Sequence, residues 1–373
     1  VSTSFKIRVV LSKVIIDVLA ADLNCPIRTK PKPRCYSYAL AERTVVSERR
    51  PNEANPVKYI IPFSIWPYVA GFIVLISSST LASIGWINAL VQLALFIAVV
   101  CVPVWRTGRM SYVDIGWPLG VLLIGVLTLA LLQEGYWLRT LIVSSVYLLI
   151  GGRMGLGALH GWRKGWLQTE LPRYQYQRIH WQTIGITNTR LRAQIEVLSQ
   201  GVFNASFIAL PAFIMAMNPS PLISYFEILG LCLWLAAFCL ETLADRQKLA
   251  FLVAMKKASK PRMVCNVGLW RYTRHPNYFA EWMVWNGLVI AAIPSWLALY
   301  SAESVIIWAL LGVGLLMVSY GLFATLVSYT GAVPSEYYSL QKRPGYKAYQ
   351  QQTNQFFPGP RKTTLDVNSD PAG

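Results

Sequence analysis

The chain has 373 residues, 54% of them hydrophobic and only 14% charged, with 34 Lys and Arg against 17 Asp and Glu and a formal net charge of +17. Soluble domains carry about a quarter charged residues, so this composition excludes a water-soluble globule, and an aromatic content of 13% excludes disorder. In a membrane protein the positive excess points first to basic loops on one side of a bilayer and to anionic headgroups, not to nucleic acid.

Residues 1–58 hold 11 Lys and Arg, five Asp and Glu and the Pro/basic stretch Arg28–Arg34, and contain no uninterrupted apolar span. The apolar patch Val9–Leu23 is broken by Lys13, Asp17 and Asp22. The segment reads as a basic extension or targeting arm outside the membrane domain. The chain opens on Val1, as expected of a fragment or a processed chain.

Eight apolar spans of about 20 residues follow, each long enough to cross a bilayer as a helix. They are Tyr59–Leu81, Trp86–Trp105, Val113–Gln133, Tyr136–Leu159, Ile195–Met217, Ser224–Ala244, Tyr278–Leu299 and Ser304–Leu326. The breaks near Ser83–Gly85, Glu134–Gly135, Asn218–Ile223 and Tyr300–Glu303 contain no Lys or Arg. The breaks at 106–112, 159–194, 245–277 and from 327 onward carry two, six, eight and five. Eight spans put every basic segment on one face, which the positive-inside rule makes cytosolic, whereas seven would put basic loops on both. The expected fold is an all-α, multi-pass transmembrane bundle of seven or eight spans over residues 59–360. Its loops are cytosolic, and a polar tail at 361–373 follows. Of the six cysteines, Cys25, Cys35, Cys101, Cys232, Cys239 and Cys265, none forms a C-x-x-C pair, so no zinc site or disulfide framework is implied.

Ionisable groups within or at the ends of spans are costly and therefore functional candidates. Arg139 and Glu196, taken singly, read as snorkelling or capping residues. The clusters say more. Glu241, Asp245 and Lys248 stand at i, i+4 and i+7, so two carboxylates and an ammonium share one stripe where the sixth span leaves the membrane. That stripe suits a polar ligand at the boundary, or an ion-paired helix end. Next comes Gly268-Leu-Trp270-Arg271-Tyr-Thr273-Arg274-His275-Pro276-Asn277-Tyr278-Phe279-x-Glu281. Pro276 marks the first turn of the seventh span, whose free N–H groups beside Arg271, Arg274 and His275 make an anion site suited to a cofactor phosphate. If the helix continues, Arg274, Tyr278 and Glu281 share a face. After the last span, Gly331, Val333, Pro334 and Glu336 precede Tyr346 and Tyr349 in an aromatic tail able to fold back over a bound cofactor. The run Gly151-Gly152-x-x-Gly155-x-Gly157 follows no strand and reads as a helix-packing surface, not a dinucleotide loop.

The clusters at 241–251 and 268–281 resemble the signature of steroid 5-alpha-reductase-like membrane proteins, in particular their bacterial and algal/plant branch. There E-x-x-x-D-x-Q-K-x-x-F is followed by G-L-W-x-x-S-R-H-P-N-Y-F-G-E. This chain departs at Thr273 and Ala280, small for small. Thr330-Gly331-x-Val-Pro and Tyr346-x-x-Tyr349 also match, as do Arg153, Arg163 and Arg173-Tyr174 of a central loop. An acidic residue expected just before Arg173 is missing, with only Glu170 nearby. The resemblance covers about residues 60–360. It implies an enzyme that holds NADPH at its cytosolic face and reduces a carbon–carbon double bond conjugated to a carbonyl in a steroid-like or other lipid. On that reading Lys248, Arg271, Arg274, His275, Asn277 and Tyr278 line the nucleotide pocket. Glu281, Glu336, Tyr346 and Tyr349 support it. Tyr112, Asp114, Glu241 and Asp245 share candidacy for the proton donor that hydride transfer requires. No metal is expected.

The R-H-P-x-Y element also occurs in isoprenylcysteine carboxyl and phospholipid methyltransferases, where it lies near S-adenosylmethionine. Those enzymes carry an acidic pair before their G-x-x-Y-x-x-Y segment, and here only Glu336 stands there, while Gln247-Lys248 favours the reductase. A non-enzymatic lipid-binding protein is the third alternative, and a transporter is disfavoured by the absence of an inverted repeat. The expected location is an endomembrane, organellar or bacterial inner membrane, with a lipid from the bilayer as partner.

Overall fold

A computed structural model of the chain describes residues 65–132, 134–260 and 262–362. The basic arm 1–58, residues 59–64 of the expected first span, and residues 363–373 lie outside them.

The described chain is built from helices, and its only bridge pairs Thr273 with Asn354. Helix α1 (Trp66–Ser77) is followed by α2 (Ala82–Thr107), α3 (Met110–Leu131), α4 (Trp137–Arg163) and the polar α5 (Pro172–Thr183). Then come α6 (Thr189–Ala216), α7 (Tyr225–Lys257), α8 (Pro276–Ser301) and α9 (Val305–Ala324). Two short helices, α10 (Ala332–Lys342) and α11 (Tyr346–Gln352), form the tail. Seven helical segments, in α2, α3, α4, α6, α7, α8 and the run starting at Val305, are long and apolar enough to cross a membrane. The chain is a multi-pass integral membrane protein. Helix α1 is apolar but 12 residues long as described, a rise of about 18 Å, short of a hydrocarbon core about 30 Å thick. The break expected near Ser83–Gly85 lies earlier, at residues 78–81, and α4 and α7 run on into segments expected as loops.

Helix α6 is the centre of the bundle, with every residue of Leu210–Ala216 buried. Two π turns, Ile97–Cys101 in α2 and Asn204–Ile208 in α6, each lie just before a proline, Pro103 and Pro211. The wider turn relieves the clash between a proline ring and the preceding turn's carbonyl. Helices α7 and α8 touch backbone to backbone. A Cβ on Gly230 would stand 2.4 Å from the Ala291 nitrogen, and one on Gly287 2.6 Å from that of Trp234. Gly151 admits the same approach of α4 to α3, where a Cβ would meet Leu122 N at 2.4 Å. This is close packing by small residues.

Polar contacts tie together, at one end, the four breaks that lack Lys and Arg. Glu303, between α8 and α9, accepts hydrogen bonds from Ser78 Oγ (2.6 Å), Ser79 N (3.0 Å) and Thr80 N (2.8 Å). Arg139 does not snorkel. Its side chain is 1% exposed and is ion-paired with Glu227, and it donates to the carbonyls of Asn218 (3.0 Å), Ser220 (2.7 Å) and Leu222 (2.8 Å). Asn218 in turn reaches Ser295 Oγ at 3.0 Å. At the opposite end Glu170 accepts from Met110 N (3.0 Å), Ser111 N (3.1 Å) and Ser111 Oγ (2.6 Å), joining the 106–112 break to the segment before α5. Cysteines placed singly at 159–194 and 245–277, in a cysteine-free background, are expected to react with an impermeant reagent from the same face of sealed vesicles. Labelling of the two segments from opposite faces would overturn this arrangement.

Burial raises the Glu303 carboxyl, but hydrogen bonds from Ser78, Thr80 and Ser79 outweigh it and hold the group below the usual glutamate range. A depressed folded value stabilises above the unfolded value and is lost as pH falls through the folded one. Replacing Glu303 with alanine is therefore expected to cost about 1 kcal/mol at neutral pH, solvent screening reducing what the three hydrogen bonds contribute. The melting temperatures of parent and variant should converge in acid, and a gap unchanged down to pH 3 would refute the assignment.

Candidate functional site

Two polar clusters meet where α3, α4, α5, α7 and α8 approach one another at the basic end. The first is centred on Arg153 of α4, a cation in an apolar span that needs a carboxylate partner. It pairs with Glu241 and lies 3.5 Å from Asp245, both on α7. Asn277, in the first turn of α8, donates to Asp245 at 3.1 Å. The carboxylates of the expected 241–248 stripe are thus answered from α4 and α8. Lys248 is turned away from them and sits 4.0 Å over the Trp270 ring. The second cluster is built on Asp114, one turn into α3. It pairs with Arg173 and accepts a hydrogen bond from the Tyr174 hydroxyl at 2.8 Å, both from α5. Glu281 lies on α8, one turn beyond Asn277, with no ion pair among the described residues. Tyr112 stands at the rim, 3.4 Å from Arg109.

Arg173 and Tyr174 lie on α5, outside the spans. Burial alone would lower Arg173, but Asp114 and the neighbouring tyrosines hold it above the usual arginine value, so it stays charged. Burial, then the Asp114 carboxylate, raises Tyr174 well above the ordinary phenol value. Its O–H therefore stays protonated across the physiological range. Arg153 Nε, Arg173 Nε and Asn277 Oδ1 are buried without a hydrogen-bond partner among the described residues. Unmatched polar atoms of this kind are costly when buried and mark a place for a polar ligand.

The remaining predicted residues form a different structure. Helix α8 begins at Pro276, so Arg274 stands outside it and shares no helical face with Tyr278 and Glu281. Arg274 makes a two-pronged pair with Glu336 of α10, Nε to Oε1 at 2.7 Å and Nη2 to Oε2 at 3.0 Å. Its Nη1 donates to the Gln350 carbonyl at 3.0 Å and to that of Thr353. His275 Nε2 is 3.1 Å from Glu336 Oε1, and Gln350 Nε2 donates to Oε2 at 2.7 Å. Burial lowers His275 against the pull of Glu336, so the imidazole is neutral and Nε2–H donates to the carboxylate. The anion expected beside Arg274 and His275 is thus the chain's own Glu336, not an open phosphate subsite. Around this pair, Thr273 Oγ1 donates to the carbonyls of Gln355 (3.0 Å) and Phe356 (2.9 Å), and Tyr349 O–H donates to the Trp270 carbonyl. Tyr346 and Tyr349 are buried with ring centroids 5.7 Å apart. Tyr278 stacks on His275 at 5.2 Å, its hydroxyl 3.5 Å from Ser335 Oγ, and Arg271 is exposed. The tail folds back as expected and is latched there by Arg274.

Arg153, Arg173 and Tyr174 are the functional candidates that motif reading left out of the site. Arg153 carried a usable signal as a cation within an apolar span. Tyr174 and Trp181 stand at i and i+7 on α5, an aromatic stripe that is buried in the structure, but that spacing does not tell which carboxylate the stripe meets.

Among curated proteins the chain is similar to an uncharacterized protein of Schizosaccharomyces pombe, 28% identical over 189 residues, covering 46% of this chain and 50% of that protein. The chain thus spans about half the length of the curated relative it matches. No solved structure matches. The family described as a protein of unknown function, DUF1295, matches residues 80–353. With most of the spans, both polar clusters and the tail latch inside the match, the chain belongs to DUF1295, a steroid 5-alpha-reductase-like membrane family.

Proposed function

We propose that the chain is a membrane-embedded reductase that uses NADPH to reduce a carbon–carbon double bond conjugated to a carbonyl in a lipid. The observation that carries this reading is the pair of arginine–carboxylate clusters, Arg153 with Glu241 and Asp245 and Arg173 with Asp114, with three buried polar atoms left unmatched there. Those atoms fit a cofactor rich in phosphate and amide groups. Arg153, Arg173 and Asn277 would hold it, with exposed Arg271 at the rim. NADPH, when bound, supplies the hydride.

The protein itself must then stabilise and protonate the oxygen on which negative charge develops. Tyr174 carries a buried O–H that donates to Asp114 Oδ1 in the structure and would turn from that carboxylate to the substrate oxygen to deliver its proton. Arg173 balances the Asp114 charge, so the phenol is oriented without being deprotonated. Tyr112, at the rim beside Arg109, is less well placed. The latched tail covers the α7–α8 end and keeps water from it.

The test is cofactor protection of the purified chain against heating, followed by comparison of lipid extracts from cells with and without the gene. Protection by NADPH and loss of a conjugated double bond on expression are expected. Protection by S-adenosylmethionine with a gained methyl group would assign methyl transfer instead, and protection by neither would remove the enzymatic reading.

A further inference from the structure

A second polar feature lies outside the two clusters. At the basic end of α4 a cleft of about 260 Å³ is lined by Arg109, Tyr112, Trp162, Arg163, Lys164 and Gln168. Three basic residues line it and no carboxylate does. Among the described residues none of the three has an ion-pair partner. The carboxylate of that loop, Glu170, is engaged by Met110, Ser111 and Arg178. The C-terminal dipole of α4 favours Arg163 and Lys164 at its end, but it does not account for Arg109, which arrives from the α2–α3 break. Three like charges around one cleft repel one another, weakly where water reaches Arg163 and Lys164, and an anion among them would relieve this.

We propose that this cleft binds a phosphate group, and that the phosphate is the headgroup of an anionic lipid. The setting argues for the lipid source. The cleft opens at the end of a membrane-crossing helix, and Trp162 and Trp166 beside it are 51% and 62% exposed. Exposed tryptophans at a helix end mark headgroup level. The basic face of the bundle would lie against an anionic leaflet, where each cation adds to attraction. Trp162 and Tyr112 supply apolar walls, and the arginines supply forked donors that match phosphate oxygens. The cleft adjoins the proposed reaction site at Tyr112 but shares neither Tyr174 nor Arg153, and its test needs no turnover.

The full chain would be placed in nanodiscs of phosphatidylcholine alone or with a minor fraction of phosphatidic acid, and retained lipid would be counted by native mass spectrometry. Each lost charge-assisted contact should weaken binding about tenfold or more. The triple variant Arg109→Gln/Arg163→Gln/Lys164→Gln is therefore expected to lose phosphatidic acid retention. A charge-matched control on the same basic face, Lys256→Gln/Lys257→Gln/Lys260→Gln, is expected to keep it. Equal loss in both would mean general attraction to anionic lipid and would overturn the proposal. So would unchanged retention in the cleft variant. A parallel arm adds inorganic pyrophosphate to phosphatidylcholine discs: protection there that vanishes in the cleft variant, without any phosphatidic acid preference, would overturn the lipid source. Should the triple variant fail to fold, Lys164→Gln alone, with its exposed side chain, is expected to show about a tenfold loss, and no loss would refute the site.

Discussion

Replacing Arg274 with alanine is expected to be the most damaging single change to folding at the basic end. It would leave the Glu336 carboxylate buried against His275 and Gln350 with no cation. Breaking a buried pair from one side costs roughly 3–5 kcal/mol, because the remaining charge cannot be rehydrated. Two tail carbonyls, of Gln350 and Thr353, would also lose their donor. The tail should detach before the spans do, so limited proteolysis near Arg343 and Lys347 reads the effect more directly than a melting curve. Glu336→Ala should do similar damage, and the double variant Arg274→Met/Glu336→Leu should recover much of it. Acid should act in the same direction. His275 is held neutral by burial, a depressed folded value, so its contribution is complete above the ordinary histidine value and drains as pH falls. If Arg274→Ala leaves the tail as protease-resistant as the parent, the latch is not what holds it.

The second large effect is expected at Tyr174. Removing its hydroxyl as Tyr174→Phe keeps the ring and its packing but deletes the proposed proton donor. Losses of about 10²–10⁴-fold in the rate of lipid double-bond reduction are usual for such groups. Protection by NADPH should persist, because the hydroxyl is not assigned to the cofactor. The pH profile separates this role from a merely structural one. Since burial and Asp114 raise the phenol, the parent's rate should not fall as pH rises through the ordinary tyrosine range. Asp114→Asn removes the carboxylate that opposes ionisation and leaves Arg173 unbalanced beside the phenol, so its rate should fall earlier on the alkaline side. A Tyr174→Phe variant that turns over at the parental rate would return the donor role to Glu241 or Asp245.

The membrane character, the places of seven of the eight expected spans and the start of α8 at Pro276 were legible in the sequence because each follows from local chemistry. Runs of apolar residues must be helical in a bilayer, and proline fits best in a helix's first turn. The sharing of one end by the four breaks without Lys or Arg was legible too, from the placing of the basic residues. What tertiary structure alone decided is which charges meet. Arg274 and His275 have the composition of an anion site, yet the anion is Glu336, 62 and 61 residues further on. Glu241, Asp245 and Lys248 share a stripe, but Arg153 reaches the two carboxylates from α4, while Trp270 takes the lysine. Tyr174 meets Asp114 only because α5 docks there, and the Tyr174–Trp181 stripe on that helix does not name its partner. Spacing along one helix specifies which side chains lie together on it. The partner that neutralises them comes from a distant segment, and burial makes that pairing obligatory without any local mark of where it will come from.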